Sequence, residues 1–103
     1  MRFSVVVNTY NRAQSLELTL EGLRWLDHDD FEVVVVNGPS VDSTDELLAR
    51  YGGRVKVVDC PERNLSASRN LGIAAAAGTV VAFIDDDAYP HPGWLTALER
   101  AFE

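Results

Sequence analysis

The chain is predicted to fold as an α/β, three-layer sandwich around a mostly parallel four-stranded sheet. Three observations predict this. Apolar strand-like runs alternate with helical patterns, four times each, in the order βαβαβαβα. Two of the runs, Phe31 to Val36 and Val80 to Ile84, are apolar nearly throughout. That pattern marks strands covered on both faces, as in a parallel sheet. Crossovers in such a sheet are right-handed, and its ligands bind beyond the carboxyl ends of the strands, where strand order reverses.

The elements follow in order. Phe3 to Val7 is the first strand. Asn11 is positioned to cap the first helix, with Gln14 at capping-box spacing. Leu16, Leu20 and Leu23 give that helix one buried stripe. Asp27 to Asp30 is a polar break before the strand Phe31 to Val36, and Asn37-Gly38-Pro39-Ser40 is a turn by composition. Asp42 is expected to cap a short helix carrying Leu47, Leu48 and Tyr51, ended by Gly52-Gly53. Arg54 to Val58 alternates charged and apolar residues, which suits an edge strand. Ser66 is expected to cap a third helix with Leu71, Ala74 and Ala75 at packing positions, closed by Gly78. The strand Val80 to Ile84 runs into Asp85-Asp86-Asp87. Pro92 suits the first turn of a fourth helix with the stripe Leu95, Leu98 and Phe102.

Composition excludes several classes. The 103 residues suffice for one small domain, spanning 1–103. With 47% hydrophobic and 24% charged residues the chain is neither disordered nor fibrous. A net charge of -7 and a single lysine, Lys56, argue against wrapping nucleic acid or binding a membrane through a basic patch. No apolar run approaches the roughly 18 residues of a membrane-spanning helix. A lone Cys60 and a start that enters a strand directly fit a reducing, cytoplasmic compartment.

The informative residues follow the strands. Three adjacent carboxylates after a buried strand repel one another, and a divalent cation relieves that cost. On an extended backbone Asp85 and Asp87 point one way and Asp86 the other, so an Asp-x-Asp pair can reach one ligand. A solvated acidic turn is the plainer alternative. The start of the third helix, Ser66 to Asn70, offers free N–H groups, and Arg69 adds a cation with bidentate geometry. That suits a phosphate, or else a capped helix whose arginine pairs with an aspartate. Tyr10 is placed to stack on a nucleobase, with Thr9 and Asn11 on its edge. Asn37, ending a buried strand, is expected to point its amide into the same crevice.

Three stretches carry a resemblance: SVVVNTYNRAQSLELTL at 4–20, FEVVVVNGPSVDSTDELL at 31–48 and RNLSASRNLGIAAAAGTVVAFIDDDAYPHPGWL at 63–95. In order and spacing they resemble the N-terminal half of family 2 glycosyltransferases. The resemblance implies a truncated GT-A, Rossmann-like domain with strand order 3-2-1-4. It implies a nucleotide-sugar donor, UDP-linked in the usual case, and Mn²⁺ or Mg²⁺. By position, Thr9 and Tyr10 fall in the uracil-contacting loop with Asn11 beside them, and Asn37 stands where the family usually has a base-reading Asp. Asp42 matches the Asp of the Ser-x-Asp-x-Thr turn, and Arg69 an arginine near base and phosphates. Asp85 and Asp87 match the ribose- and metal-binding pair, with Asp86 between them on the nucleotide. Asn37-Gly38-Pro39-Ser40 departs from the family's Asp-Asp-Gly-Ser turn.

No residue matches the family's general base, so no catalytic residue is assigned in this chain. The expectation is therefore the donor-binding portion of a longer inverting enzyme, with an apolar edge on the last strand through which a homodimer could form. A non-catalytic nucleotide- and metal-binding module is the second reading. A phosphoryl-transfer domain is the third, weakened because Lys56 falls inside a strand rather than at its end.

Overall fold

The computed structural model describes residues 1–103. Four parallel strands, β1 (Phe3–Thr9), β2 (Phe31–Asn37), β3 (Lys56–Asp59) and β4 (Val80–Asp85), pair in the order β3-β2-β1-β4. Between them run the helices α1 (Ala13–Leu23), α2 (Thr44–Tyr51), α3 (Leu65–Ala75) and, last, α4 (Trp94–Ala101). This is the predicted strand order. The chain builds outward from β1 through β2 to β3, then returns to β1's other side, so the order reverses between β1 and β4.

The three layers follow from the alternation of β1 and β2. Phe3, Val5, Val7, Val33 and Val35 face one side, where Leu16, Leu20 and Leu23 of α1, Leu47, Leu48 and Tyr51 of α2, Val55, Ala82 of β4 and Leu95 of α4 complete a 14-residue core. Val6, Val34 and Val36 face the other side, where they cluster with Cys60 under α3, the one helix on that face. That second layer is thin because α3 lies very close. A Cβ on Gly72 would sit 2.5 Å from Val6 Cγ1, so only glycine permits the observed approach.

Helix ends depart from expectation, because their polar partners come from other loops. Asn11 does not cap α1. It takes a left-handed conformation (φ 51°), which Asn tolerates better than most residues. Its N–H donates to Ser40 Oγ (3.0 Å) and its Oδ1 accepts from the Val41 N–H (2.7 Å), so it ties two loops together. Asp42 serves two helices: one oxygen accepts from the Thr44 N–H (3.0 Å), the other from the Ala13 N–H (3.2 Å) at the start of α1. Asn64, not Ser66, caps α3, accepting from the Ala67 N–H at 3.0 Å. Gly78 lies beyond the end of α3, where its N–H donates to Ser4 Oγ (2.8 Å). Pro92 precedes α4 by two residues. Arg54 sits in a 3-10 turn, its guanidinium 5.1 Å from the Tyr51 ring, so β3 begins at Lys56 and extends to Asp59. Phe102 is exposed rather than part of the α4 stripe. The His28 ring meets Phe3 edge-on at 5.2 Å.

The amino ends of the strands are tied by Glu32. Its carboxylate accepts from the Ser4 hydroxyl (2.6 Å) and the Ala77 N–H (2.6 Å), and pairs with Lys56 Nζ at 3.2 Å. Burial opposes the charge, but these three partners outweigh it and bring the carboxyl down to about 2.

Two predictions follow from this packing. Gly72→Ala should destabilise the fold by about 1–3 kcal/mol through overpacking, despite alanine's better helix propensity. Chemical denaturation measures it, and a gain in stability would show that α3 can retreat from Val6 at no cost. Glu32 is a carboxyl with a depressed folded-state value, so its contribution is complete above its ordinary 4.5 and drains away as pH falls to about 2. Parent and Glu32→Gln should therefore differ in unfolding free energy at neutral pH and converge between pH 4.5 and 2. A pH-independent difference would refute the assignment.

Candidate functional site

At the strand-order reversal, the carboxyl ends of β1 and β4 open into a cleft of about 620 Å³. Asn8 on β1 stands in register with Asp85 on β4, which brings the loop after each strand to one place. The third wall is the start of α3. Ser68, buried on its inner face, accepts from Asn8 Nδ2 at 2.6 Å. This bond and the close seat at Gly72 bring the amino end of α3, with Arg69, to the strand ends. Thr9, Tyr10, Arg69, Asp85, Asp86 and Asp87 all line this cleft. The acidic triplet and the helix-borne arginine thus share one crevice.

The triplet divides across a turn rather than along the extended backbone expected: β4 ends at Asp85, the Ala88 N–H donates to the Asp85 carbonyl (3.2 Å), and Asp86 and Asp87 lie in that turn. Asp85 and Asp87 are exposed, and Asp86 is buried between them. Asp86 accepts from the Thr9 hydroxyl at 2.9 Å and lies 3.7 Å from Arg12 Nη1. Burial pushes its carboxyl above the usual range, against the pull of Thr9 and Arg12, and the neighbouring Asp87 and Asp85 add to the rise. Asp86 therefore fastens β4 to β1, and leaves Asp85 and Asp87 as the carboxylates open to a ligand.

Two arginines at the cleft escaped the sequence reading. Arg12, just past the first loop, reaches Asp87 Oδ2 at 3.4 Å. Arg63 stacks its guanidinium 4.7 Å from the centre of the Tyr10 ring. Each had a signal: Arg12 follows Asn11 directly, and Arg63 opens the third motif stretch. Arg69 is exposed and enters none of the protein's ion pairs.

Asn11, Asn37 and Asp42 are not in the lining. Asn37 does not aim its amide into the crevice. It is buried, its Nδ2 donates to Asp45 Oδ1 (2.6 Å), and its Oδ1 accepts from Ser40 Oγ (2.8 Å). Gly38 lines the cleft instead, against the Tyr10 ring, which a Cβ there would approach to 3.1 Å. The Asp42 carboxyl is held below the usual range, chiefly by the Thr44 hydroxyl, with the Thr44 and Ala13 amides adding to it. It acts at the bases of the loops.

No three His, Cys, Asp or Glu side chains converge into a preformed metal cage. Mg²⁺ and Mn²⁺ do not require one, since one or two carboxylates plus substrate phosphates suffice. Asp85 and Asp87, hard oxygen donors exposed on one cleft, meet that requirement. Lys56 does not reach the cleft. It starts β3 and bonds to Glu32 and the Ala75 carbonyl (2.9 Å), towards the amino ends of the strands.

Comparison with known proteins agrees with this layout. Residues 4–103 match the family model described as Glycosyl transferase family 2. Glucosyl-dolichyl phosphate glucuronosyltransferase of Haloferax volcanii is 34% identical over 108 residues, covering 100% of this chain and 34% of that protein. TarS of S. aureus, solved in complex with UDP-GlcNAc, superposes with a TM-score of 0.83 at 31% identity, over 97% of this chain and 30% of that one. The mannosyltransferase PcManGT of Pyrobaculum calidifontis, solved with GDP-Man and Mn²⁺, gives 0.84 at 29% identity, over 91% and 30%. The chain thus spans about a third of the length of these relatives. With its parallel sheet, its cleft at the strand-order reversal and a family match running from Ser4 to its last residue, the chain belongs to glycosyltransferase family 2.

Proposed function

We propose that residues 1–103 form the donor-binding part of an inverting glycosyltransferase, which holds a nucleoside-diphosphate sugar, UDP-linked in the first instance, with Mn²⁺ or Mg²⁺. One observation carries this reading: Asp85 and Asp87 face the arginine-bearing start of α3 across a single cleft. The complexes of TarS with UDP-GlcNAc and of PcManGT with GDP-Man and Mn²⁺ support the ligand class.

In this reading Asp85 takes ribose hydroxyls and shares the metal with Asp87. The free N–H groups at the start of α3 and the unpaired guanidinium of Arg69 receive the phosphates. Tyr10 offers an aromatic ring for the base, with Arg63 stacked against it, and Thr9 holds Asp86 out of the way. Asn11 and Asp42 act by holding the two loops in place, and Asn37 acts through Gly38 and the loop it anchors. A bound divalent cation supplies stabilisation of the charge that builds on the departing diphosphate. Inversion also needs a general base opposite that leaving group. No residue of this chain is assigned as that base; a module that binds nucleotide and metal without transfer is the second reading.

No helix is long and apolar enough to cross a membrane. The lone, buried Cys60 is consistent with a reducing, cytoplasmic setting. β4 has an open edge with Phe83 exposed, but nothing in the comparisons supports a homodimer through it.

Calorimetry with UDP and Mn²⁺ tests the proposal. Binding should require the metal, and Asp87→Ala should weaken it at least about 10-fold while leaving the unfolding midpoint near the parent's. Equal affinity in Asp87→Ala would remove the metal role. A donor-turnover assay on the same protein separates transfer from binding alone.

A further inference from the structure

We infer that Arg12 is a tethered counter-cation of the acidic triplet, which pairs with Asp87 and yields it to a divalent cation. The inference rests on the donor-site reading above and adds a residue to it. The chain aims Arg12 deliberately. Asn11, immediately before it, is locked in a left-handed turn by Ser40 on one side and Val41 on the other. The turn places Arg12 at the N-cap position of α1, where its side chain makes no cap bond and reaches over the cleft. There Nη1 lies 3.4 Å from Asp87 Oδ2 and 3.7 Å from Asp86 Oδ1. No other cation pairs with the triplet.

The two carboxylates hold it differently. Asp86 is buried and already bonded to Thr9, so it has little freedom to follow a ligand. Asp87 is 58% exposed and Arg12 56% exposed, which makes their pair weak and easily exchanged. A divalent cation at Asp87 carries twice the charge, repels the guanidinium, and takes the oxygen that Arg12 now contacts. Once released, Arg12 remains on the cleft wall, with a planar fork of donors suited to a phosphate. Arg12 should therefore oppose metal binding by itself and favour nucleotide binding with the metal present.

Those opposite signs are the test. Free Mn²⁺ is titrated by electron paramagnetic resonance against the parent, Arg12→Gln and Arg12→Lys, with and without UDP, and the unfolding midpoint of each is recorded. Arg12→Gln should bind Mn²⁺ alone about 2- to 5-fold more tightly, the range an exposed ion pair allows. With Mn²⁺ present, the same variant should bind UDP several-fold more weakly. Arg12→Lys keeps the charge without the fork, so it should match the parent for Mn²⁺ alone and still lose UDP affinity. Unchanged or weaker Mn²⁺ binding by Arg12→Gln overturns the inference while leaving the donor site intact. A parent that binds neither Mn²⁺ nor UDP overturns the donor reading, and this inference with it.

Discussion

The distance between α3 and the sheet governs the cleft, and it is set by the absence of a side chain at residue 72. With no Cβ there, Val6 fills the space and the helix settles onto β1 and β2. Ser68, one helical turn earlier, then reaches Asn8, and the capped start of α3 comes to rest beside the ends of the strands. Glycine in a helix costs roughly 1 kcal/mol relative to alanine. Here that loss is exchanged for a wall of the cleft. The opposite face of the sheet has no such demand, and three helices pack there through leucines over an ordinary thick core.

Charge is distributed to the same end. The protein carries a net -7, and its acids outnumber its bases sixteen to nine. Three of those nine bases, Arg12, Arg63 and Arg69, nevertheless line one cleft with the acidic triplet. A surface negative elsewhere repels a free diphosphate, whereas a cleft with fixed guanidinium groups and a helix start attracts one. The carboxylates would defeat this if all three faced outward unpaired. Asp86 is buried against Thr9, and Arg12 partly neutralises Asp87.

The strands, their order and the grouping of the triplet with Arg69 were legible because each depends on patterns within a few residues or on a motif in sequence order. Apolar runs announce β1, β2 and β4; the separation of Asp86 from its neighbours comes instead from the turn after Asp85. Helix caps were not legible at the same level. A cap needs only an oxygen near free N–H groups, and Asp42 supplies one to α1 from 29 residues away. Asn11 looked like a cap because Asn favours both N-caps and left-handed turns, and composition cannot separate the two. Arg12 and Arg63 were passed over for a related reason. An arginine's reach is long, so its neighbours in sequence say little about which carboxylate or ring it will meet.

Asn37 shows how one departure from the family pattern is absorbed. Its amide bridges the Asp45 carboxylate on α2 and the Ser40 hydroxyl, and each contact uses a different atom of the amide. An aspartate in the same place would set a buried carboxylate within hydrogen-bond distance of the exposed Asp45 carboxylate. The two would repel, and one would have to take up a proton or turn away. The nitrogen of Asn37 donates where a carboxylate could only accept, so residue 37 and Asp45 are matched to each other. That match settles the second loop against Asn11 and Asp42, and leaves Gly38, rather than Asn37, to face the cleft beside Tyr10. A base held in the proposed donor site would therefore meet backbone and ring surfaces at Gly38 and Tyr10 rather than a charged side chain at position 37.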